Sequence, residues 1–122
     1  MIRIVIGGQL NKQAIEKQVK EMGGDNVEVS VKSDLDAVMA VKKKQADYYI
    51  GACETGSGGA LAMAFALLGK DQCVTLASPS KIKNEQEIEN EVNEGKIAFG
   101  FTASSSKHIL KVLIPAILKV AL

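Results

Sequence analysis

Short apolar runs alternate with helix-patterned stretches along the whole chain, and this alternation limits the possible folds more tightly than any other feature. "IRIVI" (Ile2 to Ile6) reads as a strand closed by Gly7 and Gly8. "NKQAIEKQVKEMGG" then sets Ala14, Ile15, Val19 and Met22 at helical spacing, with Gly23 and Gly24 as the stop. "NVEVSV" alternates as a half-buried edge strand does. "SDLDAVMAVKKK" opens a second helix, with Ser33 and Asp36 in a capping-box relation. Its three closing lysines suit the negative end of a helix dipole. "ADYYIGA" is a third strand, followed by a glycine-rich loop and an apolar helix. "QCVTLA", the helix "KNEQEIENEVNEG" with Ile88 and Val92 inward, "KIAFGF" and a long closing helix complete the pattern.

Alternation with short connections predicts a parallel sheet with helices on both faces. At 122 residues, with no linker or repeat, the chain reads as one domain over 1–122. The expected class is α/β: a five-stranded, mainly parallel, doubly wound sheet of order 2-1-3-4-5 in three α/β/α layers. In that order the chain reverses between strands one and three, and ligands bind beyond the strand ends at such a point. The loops expected to meet there are "GGQLN" and "GACETGSGG".

Composition removes several function classes. The formal net charge is +1, too small to attract nucleic acid or an anionic membrane. Three Phe, two Tyr and no Trp offer little surface for stacking bases. Two cysteines and one histidine cannot build a zinc cage from one chain, so neither a metal site nor a cofactor is expected. No stretch approaches the roughly 20 apolar residues that span a bilayer. The start "MIRIVIGG" lacks the pattern of a secretory leader. A cytoplasmic protein with free thiols is the reading that fits.

The candidate site is the stretch "GACETGSGG". Glycines permit positive φ and close backbone approach, so such a loop can turn several N–H groups toward one anion. The helix after it adds its own unpaired amides. Gly7, Gly8, Gly51, Glu54, Thr55, Gly56, Ser57, Gly58 and Gly59 are the candidate ligand-binding residues, for a small phosphate- or carboxylate-bearing metabolite. The loop matches neither G-x-x-x-x-G-K-[ST] nor G-x-G-x-x-G, which argues against nucleotides. Cys53, ahead of a helix start, is the candidate base or nucleophile, although cysteine is also a common small core residue. Glu54 is either a general acid or a solvated charge, and Gly58 and Gly59 serve equally well for close packing. Cys73, inside a strand, reads as core.

Ser104, Ser105 and Ser106 are candidate caps of the last helix, followed at once by Lys107 and His108. Cations in a first turn oppose the helix dipole unless an anion lies nearby. "ALAMAFALL" has no polar position, so its helix is either central or at an interface, and the last helix has only a narrow polar stripe. Pro115 is expected to kink that last helix. Apolar surface this wide predicts a homodimer or higher homo-oligomer.

"DYYIGACETGSGGAL", "EGKIAFGF" and the overall length resemble an uncharacterised bacterial family of the YhfU type. The likeness covers nearly the whole chain; it implies a fold and a grouping rather than a reaction. "CETGSG" is similar to the C-G-T-G-x-G loop of B-type ribose-5-phosphate isomerases. That likeness would make Cys53 a proton shuttle and Thr55, Gly56 and Gly58 an enolate cradle. The family's Asp-His pair after the first strand and the Asn-Lys after its loop are absent here. "CETGS" also resembles the cysteine loop of sugar phosphotransferase B components, where it follows the first strand and not the third. Three functions follow: an anion-binding module, a cysteine-dependent sugar-phosphate isomerase, or a structural subunit without a ligand.

Overall fold

A computed structural model gives ten main elements: β1 (Ile2–Gly8), α1 (Lys12–Gly23), β2 (Val27–Val31), α2 (Asp34–Lys42), β3 (Tyr48–Cys53), α3 (Gly58–Leu68), β4 (Cys73–Thr75), α4 (Glu85–Asn93), β5 (Ala98–Thr102) and α5 (Ser106–Ala121). The structure describes residues 1–56 and 58–122, with 58–60 described by their backbone. All four strand pairings are parallel. Helices α1, α4 and α5 pack together on one face of the sheet, and α2 packs with α3 on the other. The chain is therefore the α/β/α sandwich that its alternation predicts.

The strand order is β2-β1-β3-β5-β4, which corrects the expected placing of the last two strands. An inner strand must be apolar on both faces. β5 is buried at every position, whereas β4 is three residues long and leaves Val74 and Thr75 half-buried. The more apolar strand takes the inner place and the shorter one the edge. Chain crossings to one side use α1 and α4, and crossings to the other use α2 and α3. Four crossovers of the same hand produce that arrangement.

Two cores result. On one face Ile4, Ile6, Ile50, Phe99 and Phe101 meet Ile15, Val19, Ile88 and the buried side of α5. On the other, Val5, Tyr49 and Ala98 meet Val38, Val41, Leu61 and Ala64. Helix α5 lies between α1 and α4, which accounts for its wide apolar surface within the fold itself. It runs unbroken through Pro115, whose ring stands on the exposed side. Helix α3 differs: it has α2 as its helix neighbour and leaves Ala62, Met63 and Ala66 exposed.

A row of glycines crosses the centre of the sheet, because Gly7 is in register with Gly51 and Gly51 with Gly100. The ring of Tyr49 lies over the first two. A Cβ on Gly7 would stand 2.6 Å from the Tyr49 ring, and one on Gly51 would stand 2.6 Å from its hydroxyl. At Gly100 a Cβ would meet the Leu61 side chain and the Gly56 carbonyl, both at 2.6 Å.

Candidate functional site

The centre of the site is the carboxyl end of β3. Its neighbours β1 and β5 both lead into helices on the α1 face, while β3 leads into α3 on the opposite face. The chain thus diverges on both sides of β3, and loops from three central strands meet there. A depression of about 270 Å³ opens at this point, lined by Gln9, Leu10, Cys53, Glu54 and Thr55.

The amides that the sequence offers to an anion here are largely spent within the protein. Gly8 N–H donates to Asp34 Oδ1 at 3.0 Å, and the N–H groups of Gln9 and Leu10 both donate to the Ala52 carbonyl. Gly56 N–H donates to Cys53 Sγ at 3.1 Å. Gly56 adopts φ +84°, and a Cβ there would lie 2.0 Å from the Ala77 carbonyl oxygen, so this turn needs glycine for close packing. Cys53 is 2 % exposed, and Thr55 Oγ1 lies 3.5 Å from its sulfur. The thiol closes the turn much as an N-cap side chain closes a helix start. Glu54 and Thr55 are exposed; Ser57 lies outside the described residues, and Gly58 and Gly59 are described only as the start of α3.

Tyr49 and Asp34 form a pairing that the residue pattern did not single out. The wholly buried phenol donates to Asp34 Oδ1 at 2.5 Å, the same oxygen that accepts from Gly8. Burial first, then the hydrogen bond to Asp34, push the phenol far above its ordinary range, so it stays a donor. One carboxylate thereby joins the start of α2 to the ends of β1 and β3. Two adjacent tyrosines opening an otherwise apolar strand were the available signal, because a tyrosine turned into the core requires a partner for its hydroxyl.

The helix starts divide into two kinds. Those after the edge strands are closed: Ser33 Oγ accepts from Asp36 N–H ahead of α2, and Asn84 forms a full capping box with Glu87 ahead of α4. Both carry two acids in the first turn, Asp34 and Asp36 in one, Glu85 and Glu87 in the other. The starts of α1 and α5, after inner strands, have no side-chain cap and no acid in the first turn. Helix α3 also lacks a first-turn acid. Of the three serines, Ser105 accepts from Thr102 Oγ1 and Ser106 donates to the Ala103 carbonyl, so neither hydroxyl caps α5. Lys107 and His108 stand exposed in that first turn.

These two open starts are adjacent. Asn11, in a left-handed conformation ahead of α1, donates from Nδ2 to the Ala103 carbonyl at 3.1 Å. Between the two helices runs a groove of about 670 Å³, whose lining includes Ile15 and Met22 and the charged Lys17, Glu21, Lys107 and Lys111. Its volume falls in the range of small-molecule sites. The Lys12 ammonium is engaged elsewhere, on the Lys32 carbonyl. No group of three His, Cys, Asp or Glu side chains able to hold a metal occurs among the described residues. Nor is any described helix long and apolar enough to cross a membrane.

Residues 2–117 match the family described as Protein of unknown function DUF2620. The chain belongs to this family. Among its relatives is the "Uncharacterized protein YhfU" of Escherichia coli strain K12, 37% identical over 114 residues, which cover 93% of this chain and 97% of the relative. The Shigella flexneri protein of the same description shows the same identity and coverage. No solved structure matches. Membership in the DUF2620 family, which the "DYYIGACETGSGGAL" resemblance anticipated, fixes a grouping over nearly the full chain and assigns no chemistry.

Proposed function

We propose that the protein binds a small phosphate- or carboxylate-bearing metabolite at the carboxyl edge of its inner strands, in the groove between α1 and α5. One observation carries this reading: the helix starts beside the groove lack a side-chain cap and first-turn acids, although the Ser106 amide is paired with the Ala103 carbonyl, while those at the edges of the sheet are capped by side chains and acid-bearing. Unpaired amides and the positive end of a helix favour negative charge. An acid in either first turn would compete with such a ligand, and the lysines along the groove add attraction. The smaller depression beside Cys53 fits an anion less well: each site is lined by one exposed glutamate, Glu54 here and Glu21 in the groove, but only the groove has lysines to outweigh it, and the Gly8, Gln9, Leu10 and Gly56 amides are occupied. An isomerase resembling the B-type enzymes would need the Gly56 amide turned toward an enolate, and here it points to sulfur.

A thermal-shift screen of sugar phosphates, short carboxylates and inorganic phosphate tests the proposal. At about one hundred times Kd a ligand adds about 2.7 kcal/mol, a rise of several degrees in Tm. Lys107→Ala is expected to weaken the response, and Cys53→Ser to leave it intact. No response from any anion at millimolar concentration would overturn the reading. A response abolished by Cys53→Ser but indifferent to Lys107→Ala would move the site to the cysteine loop.

A further inference from the structure

Helix α3 reads GGALAMAFALL and carries no charged or hydrogen-bonding side chain, yet it lies in an outer layer. Leu61 and Ala64 face the sheet and are buried; Ala62, Met63 and Ala66 face outward, with Met63 40% exposed. Beside it, α2 exposes Leu35 at 46%. The other helices all place charges on their outward positions: Lys17 and Lys20 on α1, Asp36 and Lys42 on α2, Glu85 on α4, Lys107 and Lys111 on α5. A helix that is apolar all round requires cover on its outer side as well.

The charges around this face indicate what covers it. Helices α2 and α3 run in the same direction, since both connect parallel strands. At their starts lie exposed Asp36 and Glu54, opposed by Lys32 just ahead of α2; at their ends lie exposed Lys42, Lys43, Lys44 and Lys70, opposed by Asp71. On balance the face is weakly acidic at one end, strongly basic at the other and apolar between. Such a surface complements itself when a copy is turned end for end, and a twofold axis lying in the plane of the contact, at right angles to the helices, makes that turn and brings the two faces together. Each acidic end then meets a partner's lysines across a seam of Met63, Leu35 and alanines.

We propose that the α2–α3 face is the contact between two copies of this chain, packed antiparallel about a twofold axis. It lies on the opposite side of the sheet from the α1–α5 groove, so both grooves of such a dimer remain open.

Light scattering and sedimentation of the full chain test this. At micromolar concentration the mass is expected to be twice the chain's 13.0 kDa. Met63→Lys places an unpaired charge in the seam and is expected to raise the dissociation constant by about tenfold or more. Lys42→Glu/Lys43→Glu/Lys44→Glu makes both ends of the face acidic, and Asp36→Lys makes the acidic end more basic. Each alone is expected to weaken self-association, and mixing the two variants to restore it as a heterodimer. A monomeric wild-type chain, a dimer indifferent to Met63→Lys, or an equimolar mixture no more associated than its components would overturn the proposal. So would a monomer that sediments with anionic lipid vesicles through Met63, because the face would then serve a membrane.

Discussion

Tyr49 shows at the residue scale how a polar group is kept in an apolar core. Its ring fills the space left by Gly7 and Gly51, and its hydroxyl reaches Asp34 Oδ1 at 2.5 Å. Tyr49→Phe keeps the ring and removes the donor. A hydrogen bond to a charged group contributes about 1.5–3 kcal/mol, so the variant should lose stability of that order in urea denaturation, with an unchanged m-value. A smaller effect would mean that Asp34 is held by the Gly8 amide and solvent alone. Gly56 illustrates the opposite case, where the missing side chain is the requirement. Its φ of +84° and the Ala77 carbonyl against it leave no room for a Cβ. The glycine-rich loop was legible in the sequence, but the destination of its amides was not. The Gly56 bond to Cys53 spans three residues, yet it depends on a turn closed by β5 and the Ala77 segment from outside.

Among the elements, the helix starts carry the functional argument, and they make a prediction with two opposing signs. Lys107→Glu places an acid in the open first turn of α5. The dipole should then stabilise the ligand-free protein by about 0.5 kcal/mol, while anion affinity falls. Thermal melts with and without phosphate check both signs: the melting point should rise without ligand, and its ligand-induced increment should shrink. Element types and the α/β class were readable because helical spacing in α1 and α4, the alternation of β2 and short apolar runs closed by turn residues follow one another along the chain. Strand order was only partly readable. The alternation of "NVEVSV" marked β2 as an edge strand, and the unbroken apolar run of "KIAFGF" held the sign that β5 belongs inside. The α1–α5 groove was not legible, because it arises where Asn11 meets Ala103 across 92 positions of sequence.

For the whole molecule, burial couples stability to alkaline pH. Burial pushes the Cys73 thiol from 9.0 up to about 11, partly opposed by Lys96, and its sulfur donates to the Gly69 carbonyl. The folded state thus holds a proton that the unfolded chain releases. This contribution is fully present below about pH 9 and is lost as the pH rises toward about 11. Stability should fall by on the order of 2 kcal/mol across that window, with Tyr49 adding to the loss higher up. Denaturation curves at successive pH values would show it, and Cys73→Ala should flatten the first part of the decline. The glycine row has a consequence for how such proteins can change over time. An alanine at position 51 collides with the phenol of residue 49 unless that phenol has already gone, so the two sites form an epistatic pair. Gly51→Ala should be harmful alone and nearly neutral after Tyr49→Val, making the order of substitutions decide which evolutionary paths stay open.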